Sequence, residues 1–245
     1  MSSVRRLAVI AALPWECRPL LRRMSHVESG SHGGARLWRG RAGRSEVWLM
    51  QTGIGIDRAE RATAWLLGQK DFAGCLSIGC AGALSPDLTS GALIAAESVV
   101  AAHGRISSDA ALTAAVIAAG EKAGLHISSG AFLCSPTLLA TATQKFGAHH
   151  RHGAVAVEME GSGIAAAAAR ATVPFAAVRA VLDTAVTELP EPGAYLDPVS
   201  GAIRWRVLLG EVSQRPATVF HLARLGFAMR AAERSLSRFC AAFFA

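Results

Sequence analysis

The chain has 245 residues, 51% of them hydrophobic and 6% aromatic, with 24 glycines and a formal net charge of +7. That length suits one large α/β domain or two small ones with a substantial core, and no uninterrupted apolar run reaches the roughly 18 residues of a membrane span. The basic balance points to an anionic partner, phosphate or an anionic membrane surface, but basic residues nowhere interleave with aromatics across a sheet, so a nucleic-acid partner is not expected.

Met1 to Arg6 is basic and Leu7 to Leu13 apolar, which imitates a signal peptide. Pro14, Trp15 and Glu16 follow at once, so Arg5 to Leu13 is read as a first strand. Pro14 to Met24 reads as a helix with Pro14 in its first turn. Ala35 to Gly40 and Glu46 to Thr52 form a hairpin, and Gly53-Ile54-Gly55 is a tight turn into a helix from Asp57 to Gln69. Gly74 to Gly79 is a buried strand ending in a turn, Cys80-Ala81-Gly82-Ala83. Ala92 to Val100 is a strand, Ser108 to Gly124 a helix capped by Ser108 or Asp109, His126 to Cys134 a strand and Thr137 to Gly147 a helix. Val155 to Val157 is a short buried strand, Ser162 to Ala171 an alanine-rich helix, and Pro174 to Leu182 the last core strand. Strands alternating with helices of this length argue for an α/β sheet covered on both faces.

Beyond Leu182 lies a proline- and glycine-bearing gap, Thr187 to Ser200, of a length that suits a substrate loop or an ordinary surface loop. Two helices follow, Ala202 to Ser213 and Pro216 to Ala242. In the second, Leu222, Leu225, Met229, Ala232, Leu236, Phe239 and Phe243 make one apolar stripe, with Arg230, Arg234 and Arg238 on another face. Such a helix usually packs on its own domain; a basic amphipathic helix can also lie on a membrane surface. The five cysteines show no CxxC spacing, which fits reduced thiols in a cytoplasm.

The chemistry is expected around Val155-Ala156-Val157-Glu158-Met159-Glu160-Gly161. Buried charge is costly unless paired, so two glutamates at the end of a core strand read as a site, or else as decoration of a helix N-terminus. Glu16, Cys80, Glu160 and Asp183 each lie just past a strand, where ligands collect in parallel α/β sheets. Converging carboxylates without a His/Cys cluster argue against a metal and for general acid/base work on a sugar-like substrate. Glycine turns expose N–H groups to a polar ligand.

Six motifs carry a family resemblance: Ala12-Leu13-Pro14-Trp15-Glu16, Thr52-Gly53-Ile54-Gly55, Gly79-Cys80-Ala81-Gly82, Ala131-Phe132-Leu133, Val155 to Glu160, and Val178-Arg179-Ala180-Val181-Leu182-Asp183. From about Val4 to Asp183 the chain resembles the nucleoside phosphorylase/nucleosidase superfamily, most closely the methylthioadenosine/adenosylhomocysteine nucleosidases. The resemblance implies a three-layer α/β/α fold with a mixed central sheet, one domain over 1–245, no cofactor, no metal and a homodimer. It implies cleavage of a purine N-glycosidic bond. Asp183 would protonate the purine, and its pKa would have to rise a few units from about 3.9 through burial or an adjacent anion. Glu16 would activate water. Glu160 would hold the ribose hydroxyls with Met159 against the sugar. Phe132 would stack on the base, with the Phe132–Leu133 backbone reading its edge. Arg179 and the Cys80–Ala81 turn would line the nucleophile side, and Gly55 would be among the substrate-binding residues.

Cys80 and Leu182 stand where those nucleosidases usually have serine. The region after Asp183 is similar to a hopanoid-associated branch that removes adenine from adenosylhopane, a lipid-linked nucleoside. That similarity implies a cytoplasmic enzyme with peripheral contact to the inner membrane surface. The alternatives are a nucleosidase for methylthioadenosine or adenosylhomocysteine, a phosphate-dependent phosphorylase, and a non-catalytic binder on the same scaffold.

Overall fold

The computed structural model describes residues 5–102, 104–189 and 218–245, the side chains of 218–225 excepted. Its strands are β1 (Arg6–Ala11), β2 (Ser25–His32), β3 (Ala35–Ala42), β4 (Ser45–Gln51), β5 (Gly74–Ala83), β6 (Leu93–Ala101), β7 (Gly104–Ser107), β8 (Ile127–Cys134), β9 (Ala154–Glu158) and β10 (Phe175–Asp183). Its helices are α1 (Pro14–Leu21), α2 (Ile56–Leu67), α3 (Ala110–Lys122), α4 (Ala142–His152), α5 (Gly161–Arg170) and α6 (Thr218–Phe243).

All the strands join one mixed sheet. Its open wing runs β2-β3-β4-β1-β5, with β1 parallel to both β4 and β5. At β5 the sheet curls over: β5 pairs β10 in parallel and β9 antiparallel, and β10-β6-β8-β9 completes a ring back to β5. The strand that carries Gly79 to Gly82 is thus the seam between wing and ring.

Two apolar layers explain why the core strands are nearly continuous in hydrophobic residues, as expected of strands covered on both faces. Ala8 and Ile10 of β1 pack with Ala59, Leu66, Ile164 and Ala165 of α2 and α5. Leu7, Val9 and Ala11 turn the other way, onto Cys17 and Leu20 of α1, Val116 of α3, and Leu236 and Phe239 of α6. Helix, sheet and helix make the three layers.

The departures from the sequence reading have physical causes. β2 carries no hydrophobic pattern because every one of its residues is exposed; it is a polar edge strand paired with β3, its end pinned by His32 stacked on Trp65 of α2 at 4.0 Å. β7 is short and exposed as well. β5 continues through the expected turn at 80–83, so Cys80 and Ala81 are strand residues paired with Ala180 and Val181 of β10. α4 begins five residues later than expected because Thr141 and Gln144 form a capping box: Gln144 N donates to Thr141 Oγ1 at 3.2 Å and Thr141 N to Gln144 Oε1 at 3.0 Å. Left-handed Gly153, φ 62°, ends the helix.

The apolar stripe of α6 is taken up by the protein's own core from Ala232 onward: Ala232, Leu236, Phe239 and Cys240 are wholly buried. Arg230, Arg234 and Arg238 remain exposed, and Glu233 pairs with Arg22, the C-cap residue of α1, at 3.3 Å. The side chains of Leu222 and Leu225 are not described, and the substrate-loop reading from residue 190 onward and the helix expected at 202–213 lie outside the described residues. Among the described residues no helix is long and apolar enough to cross a membrane.

Candidate active site

Glu16 sits in the first turn of α1, which Pro14 starts. Its Oε2 accepts the N–H groups of Leu13 at 2.9 Å and Ala12 at 3.1 Å, satisfying donors that a helix start leaves free. Its Oε1 accepts the Cys80 N–H of β5 at 2.8 Å. Gly79 makes this approach feasible, since a Cβ there would lie 2.7 Å from Glu16 Oε1. Burial pushes the Glu16 carboxyl above its ordinary pKa, against the pull of these N–H groups and of Arg179.

Asp183 ends β10, one register shift after Val181, and stands opposite Gly82 of β5. A Cβ at Gly82 would come within 3.0 Å of Asp183 Oδ2. Glu16 and Asp183 therefore lean on the same strand three residues apart, roughly 10 Å at the usual strand rise. Between them, the Cys80 thiol feels the charges of Glu16, Arg179 and Asp183. Burial and Glu16 hold that thiol well above its ordinary pKa, so it stays protonated and is no nucleophile. Burial likewise raises the Asp183 carboxyl, opposed by Lys145.

Glu160 follows β9 at the start of α5 and reaches across to the glycine turn, where its Oε1 accepts the Gly55 N–H at 3.0 Å. Gly55 has φ 114°, a conformation that favours glycine. Burial and the charge of Glu158 push the Glu160 carboxyl up to about 8 against the Gly55 N–H; Glu16 adds to the rise and Arg179 opposes it. That Glu160 feels both Glu16 and Arg179 places it with them in one cluster.

The two glutamates of the central motif divide their roles. Glu158 turns inward: its Oε2 takes Arg179 Nη2 at 2.8 Å and the N–H groups of Gly161 at 2.7 Å and Glu160 at 3.2 Å. Arg179 also donates to Ser77 Oγ at 3.0 Å and to the Val178 carbonyl at 3.2 Å. Burial opposes its charge, but Glu158, Glu16 and Glu160 outweigh that and raise its pKa. The helix-decoration reading thus fits Glu158, whose carboxylate caps α5, while Glu160 faces the cluster.

Other expected site residues fall unevenly. Met159 and Leu133 are half-buried, and Leu133 stands opposite Val157, whose side chain borders Gly82. Ala81 is buried in the core. Phe132 is 0% exposed and packed among core residues of the α5 layer, so its ring offers no open face to a base; strand alternation puts Leu133 on the other face.

Sequence reasoning missed Lys145. It is wholly buried in α4 and its ammonium pairs with Asp183 Oδ2. It also donates to the Thr187 carbonyl at 2.7 Å and the Thr184 carbonyl at 3.0 Å. The signal was the capping box, which starts α4 at Ala142 and puts Lys145 and Ala148 on its inner face.

The chain has relatives in sequence and in fold. One is a 5'-methylthioadenosine/S-adenosylhomocysteine nucleosidase of Glaesserella parasuis serovar 5, 27% identical with 75% of this chain and 87% of that protein covered. The Neisseria meningitidis 5'-methylthioadenosine/S-adenosylhomocysteine nucleosidase, solved with methylthio-immucillin-A, superposes with a TM-score of 0.78 at 20% identity over 98% of both chains. Futalosine hydrolase of Helicobacter pylori superposes with a TM-score of 0.68 at 20% identity over 73% of this chain and 89% of that one. A model of the phosphorylase superfamily matches residues 6–207. The chain belongs to the phosphorylase superfamily.

Proposed function

We propose that the protein hydrolyses the N-glycosidic bond of an adenine nucleoside. The observation that carries this reading is the placement of Glu16 and Asp183 against the same strand, β5, with Glu160 tied electrostatically to Glu16. Asp183, whose carboxyl burial raises against the pull of Lys145, gives its proton to the leaving base. The bond's electron pair goes to the base, leaving a sugar of oxocarbenium character that the Glu16 carboxylate steadies. Glu16 takes the proton of the attacking water, and Glu160 receives the ribose hydroxyls.

Hydrolysis fits better than phosphorolysis. Arg179, the natural phosphate anchor on this side, already gives its guanidinium to Glu158, Ser77 and a carbonyl. Glu16 occupies the neighbouring Cys80 N–H and would repel a phosphate. The nucleosidase relatives point to adenine as the base.

Within that class, our narrower proposal is adenosylhopane. It rests on the sequence similarity of the region after Asp183 to the hopanoid-associated branch. The test is adenine release from adenosylhopane, methylthioadenosine and adenosylhomocysteine, each with and without phosphate. Release from adenosylhopane without phosphate, well above the rates on the small thioethers, is the expected result. Comparable turnover of the thioethers with none of the lipid overturns the narrower proposal. Strict phosphate dependence overturns hydrolysis.

A further inference from the structure

We propose that Lys145 is a positioning residue for the acid of this reaction: from α4 it fixes the Asp183 carboxyl through Oδ2 and sets how readily that carboxyl gives up its proton. The proposal rests on the reading above. A lysine ammonium has three N–H donors. Here Asp183 Oδ2 and the carbonyls of Thr184 and Thr187 take them, in a site from which solvent is excluded. No described side chain other than Lys145 bonds the Asp183 carboxylate, so Oδ1 is the oxygen left for a substrate.

The same ammonium ties down the chain that follows. Thr187 N donates to the Thr184 carbonyl at 3.0 Å, and Leu189 N donates to the Ala140 carbonyl beside α4 at 2.8 Å. Segment 184–189 and the acid are thereby fastened to one helix. The titratable groups around the Asp183 carboxyl are Lys145 from α4 and the Cys80 thiol from β5, and the thiol stays neutral. Lys145 is therefore the charge that offsets burial. Without it Asp183 would be a weaker acid, protonated to higher pH but slower to release its proton, on a carboxyl free to turn.

The full chain is assayed as wild type, K145Q and K145R for adenine release from methylthioadenosine and adenosylhopane across pH 5–10, with circular dichroism and thermal melting to verify folding. K145Q is expected to lose about 10²-fold in kcat with KM little changed. The alkaline limb of its kcat/KM profile is expected to move to higher pH, because that limb reports loss of the Asp183 proton. K145R, which keeps the charge, is expected to keep the limb in place, whatever its larger planar head costs in kcat at this wholly buried position. A folded K145Q with wild-type kcat and an unmoved limb overturns the proposal. So does a folded K145R whose limb moves as far as that of K145Q, or, if K145Q does not fold, a folded K145R with a shifted limb. If the wild type releases adenine from neither nucleoside, it is the proposed function that fails.

Discussion

Glu160→Gln should make the protein more stable, and increasingly so as pH rises. The wild-type carboxyl is buried and its pKa is pushed up to about 8 from an ordinary 4.5. A carboxyl raised in the folded state contributes stability that is fully present below its unfolded pKa and is lost as pH climbs toward the folded one. Between pH 4.5 and 8 the native protein holds a proton that the unfolded chain has released. Glutamine cannot ionise, and its amide oxygen can still accept the Gly55 N–H now taken at 3.0 Å. The shift of about 3.5 units at 1.36 kcal/mol each sets a ceiling of roughly 5 kcal/mol. Relaxation and water entry at a real site reduce this, so a gain of about 2 kcal/mol is expected at pH 9 and little at pH 5. For a chain of this size that is about 4–8 °C in Tm. The assay is thermal melting of both proteins from pH 5 to 9. A difference in Tm that stays flat across the range, or shrinks as pH rises, would refute the assignment of a burial-raised carboxyl to Glu160.

Other substitutions test other parts of the account. Gly79→Ala puts a methyl 2.7 Å from Glu16 Oε1, which must swing away from Cys80; hydrolysis should fall at least tenfold while the circular dichroism spectrum stays native, and full activity would contradict the Glu16 assignment. Leu236→Ala empties a wholly buried site between α6 and the sheet, at a cost of about 3 kcal/mol or roughly 6–12 °C in Tm by differential scanning calorimetry. A drop under about 2 °C would show that α6 is not part of the core. Glu158→Gln leaves the buried Arg179 without its carboxylate partner; a stability loss of about 3 kcal/mol in urea unfolding is expected, whereas an unchanged midpoint would refute the pair's role.

The central strands were legible because burial on both faces leaves a mark in composition: Leu7 to Ala11 contains nothing polar, and both faces of β1 prove covered. β2 left no such mark, since a wholly exposed edge strand has no hydrophobic pattern to read. The carboxylates Glu16, Glu160 and Asp183 could be singled out because acidic residues at the ends of apolar strands need a reason to be there. Their partners were less visible. Glu158 looked equivalent to Glu160, and only the fold shows that one meets Arg179 and the other Gly55. Lys145 lies in a polar stretch whose helix begins only at Ala142, so no apolar pattern marks its inward direction. Phe132 was assigned by resemblance alone, and the alternation of β8 sends its ring into the core.

The central claim is that a buried, protonated Asp183 lets an adenine leave while Glu16 supplies water. Its most direct measurement is the rate of free adenine release in phosphate-free buffer by wild type and by Asp183→Asn. The account requires release by the wild type and a loss of 10²–10⁴-fold in kcat for the variant. No release by the wild type, or an Asp183→Asn protein that releases adenine at the wild-type rate, would contradict it.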